Sequence, residues 1–242
     1  MYYAVLSDIH GNMVAFQSVL EDLKQYQIEG ILLLGDLIDY GMQSNEVTDC
    51  VRDALGYDLN CNIWGNHERA ILRGDFSRFS SPRGAECAKH TASLLREDTK
   101  AYLRDNLRQE GFQELVLHGR KCLAVHGSLE DPYWKSIMPD NVRGDYSAYD
   151  IVFSGHSHYS HAFVKFYEAE DPERRNKHAV RFINPGSVGQ PRNHNPNAQY
   201  ALLDAENGTV ILRAVPYDIG KAMALYDGSV DVFYQKRLLT GV

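Results

Sequence analysis

Several short apolar runs in this chain end at an acid, an amide or a histidine, and this pattern strongly limits the folds available to it. In the second run, residues 31–34, four β-compatible apolar residues are followed by Gly35 and then by Asp36 and Asp39. Such a run predicts a strand that is covered on both faces, as the strands of parallel sheets are. Gly35 allows the backbone to turn sharply, so the two acids would emerge at the carboxyl end of the strand. Because open α/β sheets bind ligands at that edge, we predict a site there.

Four other apolar runs end in the same way, after residues 6, 64, 125 and 154. If the five ends share one edge, they bring together seven polar side chains: Asp8, His10, Asp36, Asn66, His126, His156 and His158. Oxygen and imidazole ligands without a thiolate suit two borderline divalent ions such as Mn, Fe, Co, Ni or Zn. One carboxylate would have to bridge the two ions, and Asp36 is the central candidate. A single histidine after a strand is more often a structural residue. That interpretation does not explain seven potential ligands at five strand ends.

Length and charge limit the classes of function. The 242 residues are sufficient for one large α/β domain, and we predict a single domain over residues 1–242. The net charge of −7 argues against nucleic acid as a partner, since such binding depends on neutralising phosphates with lysine and arginine. No apolar stretch approaches the roughly 20 residues of a membrane helix, so no membrane association is expected. The first strand follows Met1 directly without a secretory signal, and the cysteines are scattered, which favours a cytoplasmic location.

The remaining patterns predict alternating strands and helices. Helical spacing over residues 12–26 and 44–56 places two helices between the first three strands, which favours parallel crossovers. A helical excursion is predicted at about residues 68–108, either near the mouth of the site or as a plain connecting helix pair. Further strand pairs are expected at 112–117 with 121–125, 161–167 with 179–183, and 200–204 with 210–215. Residues 127–149 read as loop, a closing helix is predicted at 218–226, and the tail to residue 242 is unassigned. In the Gly/Pro-rich loop 184–192, glycines would let backbone amides approach an anion.

Five sequence blocks carry a resemblance to a known family. They are Asp8-x-His10, Gly35-Asp36-x-x-Asp39, Gly65-Asn66-His67-Glu68, His126 and Gly155-His156-x-His158. In this order they resemble the motif blocks of the calcineurin-like metallophosphoesterase superfamily. The loop 184–192 with Tyr217-Asp218 looks like the compact bacterial and archaeal, phosphodiesterase-like branch of that superfamily. The resemblance implies an α/β fold, a two-sheet mixed β-sandwich flanked by helices in four αββα layers, with a dinuclear metal site at one sheet edge.

The resemblance also implies roles for individual residues. The first ion would be held by Asp8, His10, Asp36 and His158, and the second by Asp36, Asn66, His126 and His156. His67 would be the catalytic histidine, and Asp39 the carboxylate that orients it. The eukaryotic protein phosphatases of the family grip phosphate with arginines where this chain has Tyr40 and Trp64, which argues against protein phosphatase specificity. By their positions after the Gly-Asn-His-Glu block and at the end of the Gly-rich loop, Arg69 and Arg192 are either contacts for substrate phosphate or surface and salt-bridged arginines.

The expected activity is metal-dependent hydrolysis of a small phosphodiester or nucleotide, with cyclic and dinucleoside phosphates as the leading substrate classes. Two ions about 3.5 to 4 Å apart can clamp the reacting oxygens, and a metal-bridging hydroxide would be the nucleophile. His67 would act as general acid on the departing alkoxide. The alternative is a non-catalytic protein-binding module that keeps the fold. A nuclease is disfavoured by the acidic charge and by the lack of a basic, aromatic strand-binding surface. The oligomeric state is left open, with a homo-oligomer as one option.

Overall fold

The computed structural model describes residues 1–242, in which ten strands form two mixed sheets. The strands are β1 (Tyr2–Leu6), β2 (Ile28–Leu33), β3 (Leu59–Asn62), β4 (Phe112–Leu117), β5 (Arg120–Val125), β6 (Ile151–Ser154), β7 (His161–Glu168), β8 (Lys177–Asn184), β9 (Ala198–Asp204) and β10 (Thr209–Val215). The first sheet has the order β10-β9-β1-β2-β3, and the second has the order β4-β5-β6-β8-β7. The pairs β1/β2, β2/β3, β5/β6 and β6/β8 are parallel. The carboxyl ends of these neighbouring strands therefore lie side by side within each sheet.

Seven α-helices accompany the sheets: α1 (Met13–Leu23), α2 (Ser44–Asp53), α3 (Asn66–Arg73), α4 (Pro82–Leu94), α5 (Glu97–Asn106), α6 (Ile219–Ala224) and α7 (Val232–Thr240). The side chain of Asn12 caps α1 by accepting a hydrogen bond from the backbone N–H of Ala15. Similarly, Ser81 caps α4 directly before Pro82, a residue suited to the first helical turn. A short 3₁₀ helix (Pro172–Arg174) lies in the charged tip between β7 and β8. None of the helices combines the length and the apolar character that crossing a membrane requires.

The two sheets pack face to face through a buried apolar layer. Val5 and Leu32 of the first sheet lie in one cluster with Ala124 and Phe153 of the second, and all four are fully buried. Successive side chains of a strand point to opposite faces, so the alternate residues of β1 and β2 pack on the other side of the first sheet. There they join side chains of α1, α2 and α5 in a larger cluster. The predicted sandwich of two mixed sheets flanked by helices is confirmed.

A loop segment covers the outer face of the second sheet. Ile137 and Tyr146 belong to residues 127–149, which form neither helix nor strand, as the sequence predicts. These two side chains are buried in one cluster with Val152 of β6 and Phe182 of β8. The segment therefore supplies part of the apolar core on this side of the sandwich.

The C-terminal tail, for which the sequence pattern predicts no structure, contains α7. Its buried residues are Tyr234, Arg237 and Leu238. They occupy positions i, i+3 and i+4 and therefore share one helical face. Leu238 packs with Val14 of α1 and Ala222 of α6. This packing fixes α6 and α7 on the helical layer of the first sheet.

Candidate metal centre

The segments that follow β1, β2, β3, β5 and β6 meet at one edge of the sandwich. The backbone N–H of Asp8 donates to the carbonyl of Gly35 (3.0 Å), which joins the chain after β1 to the chain after β2. The N–H of His156, after β6, donates to Asp8 Oδ2 (3.0 Å) and connects the two sheets. The predicted polar residues therefore lie in one cluster: Asp8, His10, Asp36, Asn66, His126, His156 and His158. All of these are buried except His156, which is partly exposed.

The donor atoms at this edge form three groups: two share no residue, and the third, made of His10, Asp36 and His67, links them. In one group, ligand atoms of Asp8, His10 and His158 lie within 4.8 Å of one another. In the other, the same holds for Asp36, His126 and His156. Asp36 Oδ2 lies 3.3 Å from His126 Nε2 and 3.7 Å from His10 Nε2, so this one oxygen reaches both groups. Asn66 Oδ1 lies 3.0 Å from His126 Nε2 and 2.8 Å from His156 Nδ1.

Backbone carbonyls determine which nitrogen of three histidines faces the cluster. The Nδ1–H of His10 donates to Ile38 (3.1 Å), that of His126 to Leu34 (2.7 Å) and that of His158 to Gln190 (2.6 Å). A neutral ring that donates through Nδ1 presents an Nε2 lone pair. In the neutral state, the lone pairs of His10 and His158 point at each other and at carboxylate oxygens, and that of His126 points at Asn66 Oδ1 and Asp36 Oδ2, so none of them has a donor. Histidines that bind metals are oriented in this way, by a carbonyl on the opposite nitrogen.

Each of the two central carboxylates uses one oxygen within the protein and leaves the other unpaired. Asp8 Oδ2 accepts from Ser7 Oγ (2.6 Å), whereas buried Asp8 Oδ1 has no hydrogen-bond partner. Asp36 Oδ1 accepts from the backbone N–H of His67 (2.9 Å), whereas buried Asp36 Oδ2 has none. An unpaired buried oxygen is costly, so these atoms require positive charge nearby. Two unpaired carboxylate oxygens, an amide oxygen and imidazole lone pairs fit divalent cations.

The charges of the cluster shift the pKa of its members. Burial raises the pKa of Asp8 and Asp36, but the adjacent histidines outweigh it and lower both values. Burial lowers the pKa of His126, but Asp36 outweighs it and raises the value to about 9. Burial lowers the pKa of His156 to about 4, with the charge of His126 adding to the effect. Burial lowers the pKa of His158 to about 3, and the positive charge of Arg192 adds to this effect.

His67 and Asp39 form a hydrogen-bonded pair beside the donor groups. The Nδ1–H of His67 donates to Asp39 Oδ2 (2.6 Å), and Thr91 Oγ1 donates to Asp39 Oδ1 (2.7 Å). The other nitrogen, His67 Nε2, lies 3.9 Å from Asp36 Oδ2. Burial lowers the pKa of His67, but the carboxylates of Asp36 and Asp39 more than offset this and raise it. A histidine held in this way is suited to carry a proton at Nε2.

The backbone of the cluster is strained at several residues other than glycine. Five of its residues have a positive φ angle, namely Asp8 (55°), His10 (49°), Asp36 (54°), His156 (64°) and His158 (59°), and so do the neighbouring Asp39 (75°) and Tyr40 (59°). Residues with side chains rarely adopt this left-handed conformation, and it is concentrated at functional sites. The surrounding hydrogen bonds must therefore stabilise a backbone arrangement that the chain would otherwise avoid.

Glu68 has a larger role than its position in the sequence indicates. From its position in the sequence, Glu68 is expected to support the start of a helix. It does accept a hydrogen bond from the backbone N–H of Gly65 (2.8 Å) at the start of α3. It also accepts from the N–H groups of Asp36 (2.9 Å) and Leu37 (2.7 Å), and so holds the turn after β2. Burial and the charge of Asp36 raise its pKa to about 7, while its backbone donors act in the opposite direction. Only the spacing of the capping box, with Glu at the third helical position, signals this residue in the sequence.

The Gly/Pro-rich loop 184–192 differs from expectation, because its backbone amides are occupied within the protein. The N–H of Val188 donates to the backbone carbonyl of Ser7 (3.1 Å), and that of Gly189 donates to the backbone carbonyl of Asp8 (3.1 Å). A Cβ at Gly189 would lie 1.8 Å from the carbonyl oxygen of Ile9, so the close approach requires glycine. The loop clamps the chain after β1 and orients His158 through Gln190. The prediction that its amides approach an anion is wrong.

The two predicted substrate arginines lie in different surroundings. Arg192 is the last residue of this loop, and its backbone N–H donates to the carbonyl of His158 (3.3 Å). The positive charge of Arg192 lowers the pKa of both His156 and His158. The Arg69 side chain is exposed, and its guanidinium lies 4.7 Å from the ring centroid of Tyr133. Arg192 therefore borders the cluster, whereas Arg69 lies on a tyrosine of the loop 127–149.

The C-terminal helices reach this site through Tyr40. The Tyr40 ring lies 4.5 Å from the rings of both His10 and His67 and is stacked on Tyr234 of α7 at 4.6 Å. Tyr226 donates its hydroxyl hydrogen to the carbonyl of Tyr40 (3.1 Å). Sequence patterns do not reveal this support, because Tyr40 and Tyr234 are almost 200 residues apart.

Comparisons with known proteins agree with this geometry. The family model for the calcineurin-like phosphoesterase superfamily domain matches residues 1–208. The uncharacterized protein MJ0912 of Methanocaldococcus jannaschii is 33% identical over 226 residues, which cover 90% of this chain and 89% of that protein. Phosphodiesterase YfcE of Escherichia coli is 23% identical over 205 residues, which cover 85% of this chain and 88% of that protein. The crystal structure of a metallophosphoesterase from Sphaerobacter thermophilus superposes with a TM-score of 0.72 at 26% identity and full coverage of both chains. The chain thus belongs to the calcineurin-like phosphoesterase superfamily.

Proposed function

We propose that this protein is a metal-dependent phosphoesterase that hydrolyses a small phosphodiester or nucleotide. The observation that carries the proposal is the position of Asp36 Oδ2, which is buried, has no hydrogen-bond partner and lies between His10 Nε2 and His126 Nε2. An oxygen shared between two donor groups is the feature that a two-ion site requires. Membership of the superfamily supports the general class of reaction.

The donor groups support an assignment of the ligands to two ions. Asp8, His10, Asp36 and His158 would hold the first ion, and Asp36, Asn66, His126 and His156 would hold the second. Mn, Fe, Co, Ni and Zn all suit imidazole and carboxylate ligands. When bound, two such ions polarise a phosphoryl group and make water available as a nucleophile near neutral pH.

His67 would supply the proton that the leaving group needs. In the proposed reaction the water oxygen forms a bond to phosphorus, the ester P–O bond breaks, and His67 Nε2 transfers its proton to the departing oxygen. Asp39 holds the opposite nitrogen and favours the charged ring before transfer. The attacking water loses one proton to solvent, and solvent returns one proton to His67, so the step balances. Because water itself attacks phosphorus, no covalent enzyme intermediate is required.

The substrate class rests on relatives and on charge. YfcE is named a phosphodiesterase, and its similarity over most of both chains supports activity on phosphodiesters. Arg192 borders the cluster and is the proposed contact for a phosphate oxygen. The role of Arg69 in phosphate contact stays a prediction, since its guanidinium lies over Tyr133. The alternative, a non-catalytic binding module, is less well supported because the full donor set and the His67–Asp39 pair are both present.

A substrate screen tests the proposed activity. The purified protein, supplemented with Mn²⁺, is assayed on a monoester, a diester, a cyclic nucleotide and a dinucleoside polyphosphate. We expect turnover of at least one class, and loss of that turnover in His67→Ala but not in His118→Ala, whose ring lies elsewhere and contacts Glu29. Absence of turnover for every class would favour the binding module.

Two further predictions accompany this function. We propose that residues 1–242 form one domain, which the shared apolar layer between the sheets supports. The cytoplasmic location stays a prediction, and the oligomeric state is left open.

A further inference from the structure

Two aromatic rings lie beside the donor cluster and have no role in the chemistry proposed above. Phe79, in the connection between α3 and α4, has its ring centroid 5.1 Å from that of His67. Trp134, in the loop 127–149, lies 6.4 Å from the ring of His156. The two aromatic rings contact each other at 5.5 Å with an interplanar angle of 82°. Together they extend from the proposed acid to the second donor group.

Phe79 and Trp134 pack against the apolar core on the helical side of the first sheet, but both side chains are only partly buried. Trp64, the other tryptophan, is 2% exposed and donates its indole N–H to the carbonyl of Leu103 (2.6 Å). The remaining exposure of Phe79 and Trp134 leaves apolar ring surface available beside a highly charged cluster.

Asp131 fixes the two loops that carry these rings. Its Oδ1 accepts from the backbone N–H groups of Tyr133 and Trp134, both at 3.1 Å. Its Oδ2 forms an ion pair with Arg78, the neighbour of Phe79, at 2.6 Å. The Arg78 guanidinium in turn lies 5.3 Å from the centroid of the Trp134 ring. The two rings are therefore held in place before any ligand binds, which lowers the entropic cost of binding.

We propose that Phe79 and Trp134 form an aromatic shelf that binds the nucleobase of the substrate. The proposal rests on the proposed function and narrows it, because it selects nucleotide esters among small phosphoesters. A base on the shelf would place its sugar and phosphate toward the donor groups beside His67 and His156. Stacking of a base on an aromatic side chain is tolerant of base identity, so the shelf would accept purines and pyrimidines alike.

Binding measurements test the shelf without turnover. The probes are the methylenephosphonate analogue of AMP, in which carbon replaces the ester oxygen, and the corresponding ribose analogue without a base. Calorimetry on the Mn²⁺-loaded protein should show tighter binding of the adenosine compound. Trp134→Ala and Phe79→Ala should each lower that affinity about 5-fold or more, since alanine substitution of a stacking residue costs about 1 to 3 kcal/mol per base. The affinity for the ribose compound should not change.

Control variants separate stacking from a general loss of structure. Trp134→Phe keeps an aromatic face and should retain most of the preference for the adenosine compound. Phe166→Ala removes an exposed aromatic ring from β7 and should leave both affinities unchanged. Circular dichroism checks that each variant is folded. If Trp134→Ala does not fold, Phe79→Ala provides the test.

Equal affinity of the unaltered protein for the two compounds would overturn the shelf, as would an equal loss of both affinities in the alanine variants. Hydrolysis of a phosphodiester could still be observed in that case, and the proposed function would stand. Conversely, a base preference without hydrolysis of any phosphoester would support the shelf and reject the enzymatic reaction.

Discussion

The Nε2 atoms of His10 and His158 face each other at 3.2 Å in the buried cluster. Each ring donates its Nδ1–H to a backbone carbonyl, so both Nε2 atoms present a lone pair in the neutral state. Two lone pairs at this distance repel each other, and Asp8 Oδ1, which lies 3.2 Å from His158 Nε2, increases the repulsion. A cation among these atoms would turn the repulsion into attraction, so metal binding should stabilise the fold.

Metal removal should therefore lower thermal stability. A ligand present at 100 times its dissociation constant stabilises the folded state by about 2.7 kcal/mol. We expect EDTA to lower the Tm in scanning fluorimetry and excess Mn²⁺ to restore it. His118→Ala should respond to EDTA as the unaltered protein does, whereas His10→Ala should respond less. An unchanged Tm after complete removal of the metal would show that the cluster is stable without cations.

His67→Ala should retain metal but lose activity. Loss of a general acid costs on the order of 10²- to 10⁴-fold in rate, and esters with poor leaving groups depend on it most. The measurement compares kcat for alkyl and nitrophenyl esters, together with the metal content of the variant. Undiminished kcat on alkyl esters would rule out His67 as the proton donor.

Gly65→Ala should disrupt the site because no space exists for a side chain there. Gly65 has φ −93°, which other residues adopt freely, but a Cβ would lie 2.0 Å from Asp36 Oδ1 and 2.5 Å from the Asp36 nitrogen. Overpacking of this kind costs about 1 to 3 kcal/mol or more, and movement of Asp36 should weaken metal binding. Gly220→Ala, whose Cβ would meet only Asp218 at 3.4 Å, is the matched control. Chemical denaturation and metal content measure both effects, and equal behaviour of the two variants would contradict the steric explanation.

Local sequence was sufficient to predict the strand ends and the polar residues that follow them. Asp36 follows a short apolar run and Gly35, and the run itself predicts the buried strand. By contrast, Glu68 also accepts from backbone N–H groups more than thirty residues away, and these contacts leave no pattern in the local sequence. Tyr234 and Trp134 belong to segments without a clear pattern, and their importance arises only from contacts between distant parts of the chain. The loop 184–192 was misread because glycine permits close backbone approach to protein and to ligand alike.

Tyr234→Ala should destabilise both the fold and the site. Tyr234 is 3% exposed and stacks on Tyr40, which in turn contacts His10 and His67. Truncation of a large buried aromatic residue costs about 3 to 5 kcal/mol. We expect a lower free energy of unfolding and weaker metal binding, whereas Leu239→Ala, at a 55% exposed position of the same helix, should change neither. If Tyr234→Ala lowered stability but left metal affinity intact, α7 would support the fold without supporting the site.

The number of metal ions per chain, determined by elemental analysis after dialysis, tests the proposed two-ion site most directly. We predict two equivalents for the Mn²⁺-loaded protein and substantially fewer for Asp36→Asn, because Asp36 Oδ2 is the only carboxylate oxygen that reaches both donor groups. One equivalent or less in a fully active protein, or two equivalents retained by Asp36→Asn, would contradict a site in which this oxygen bridges two cations.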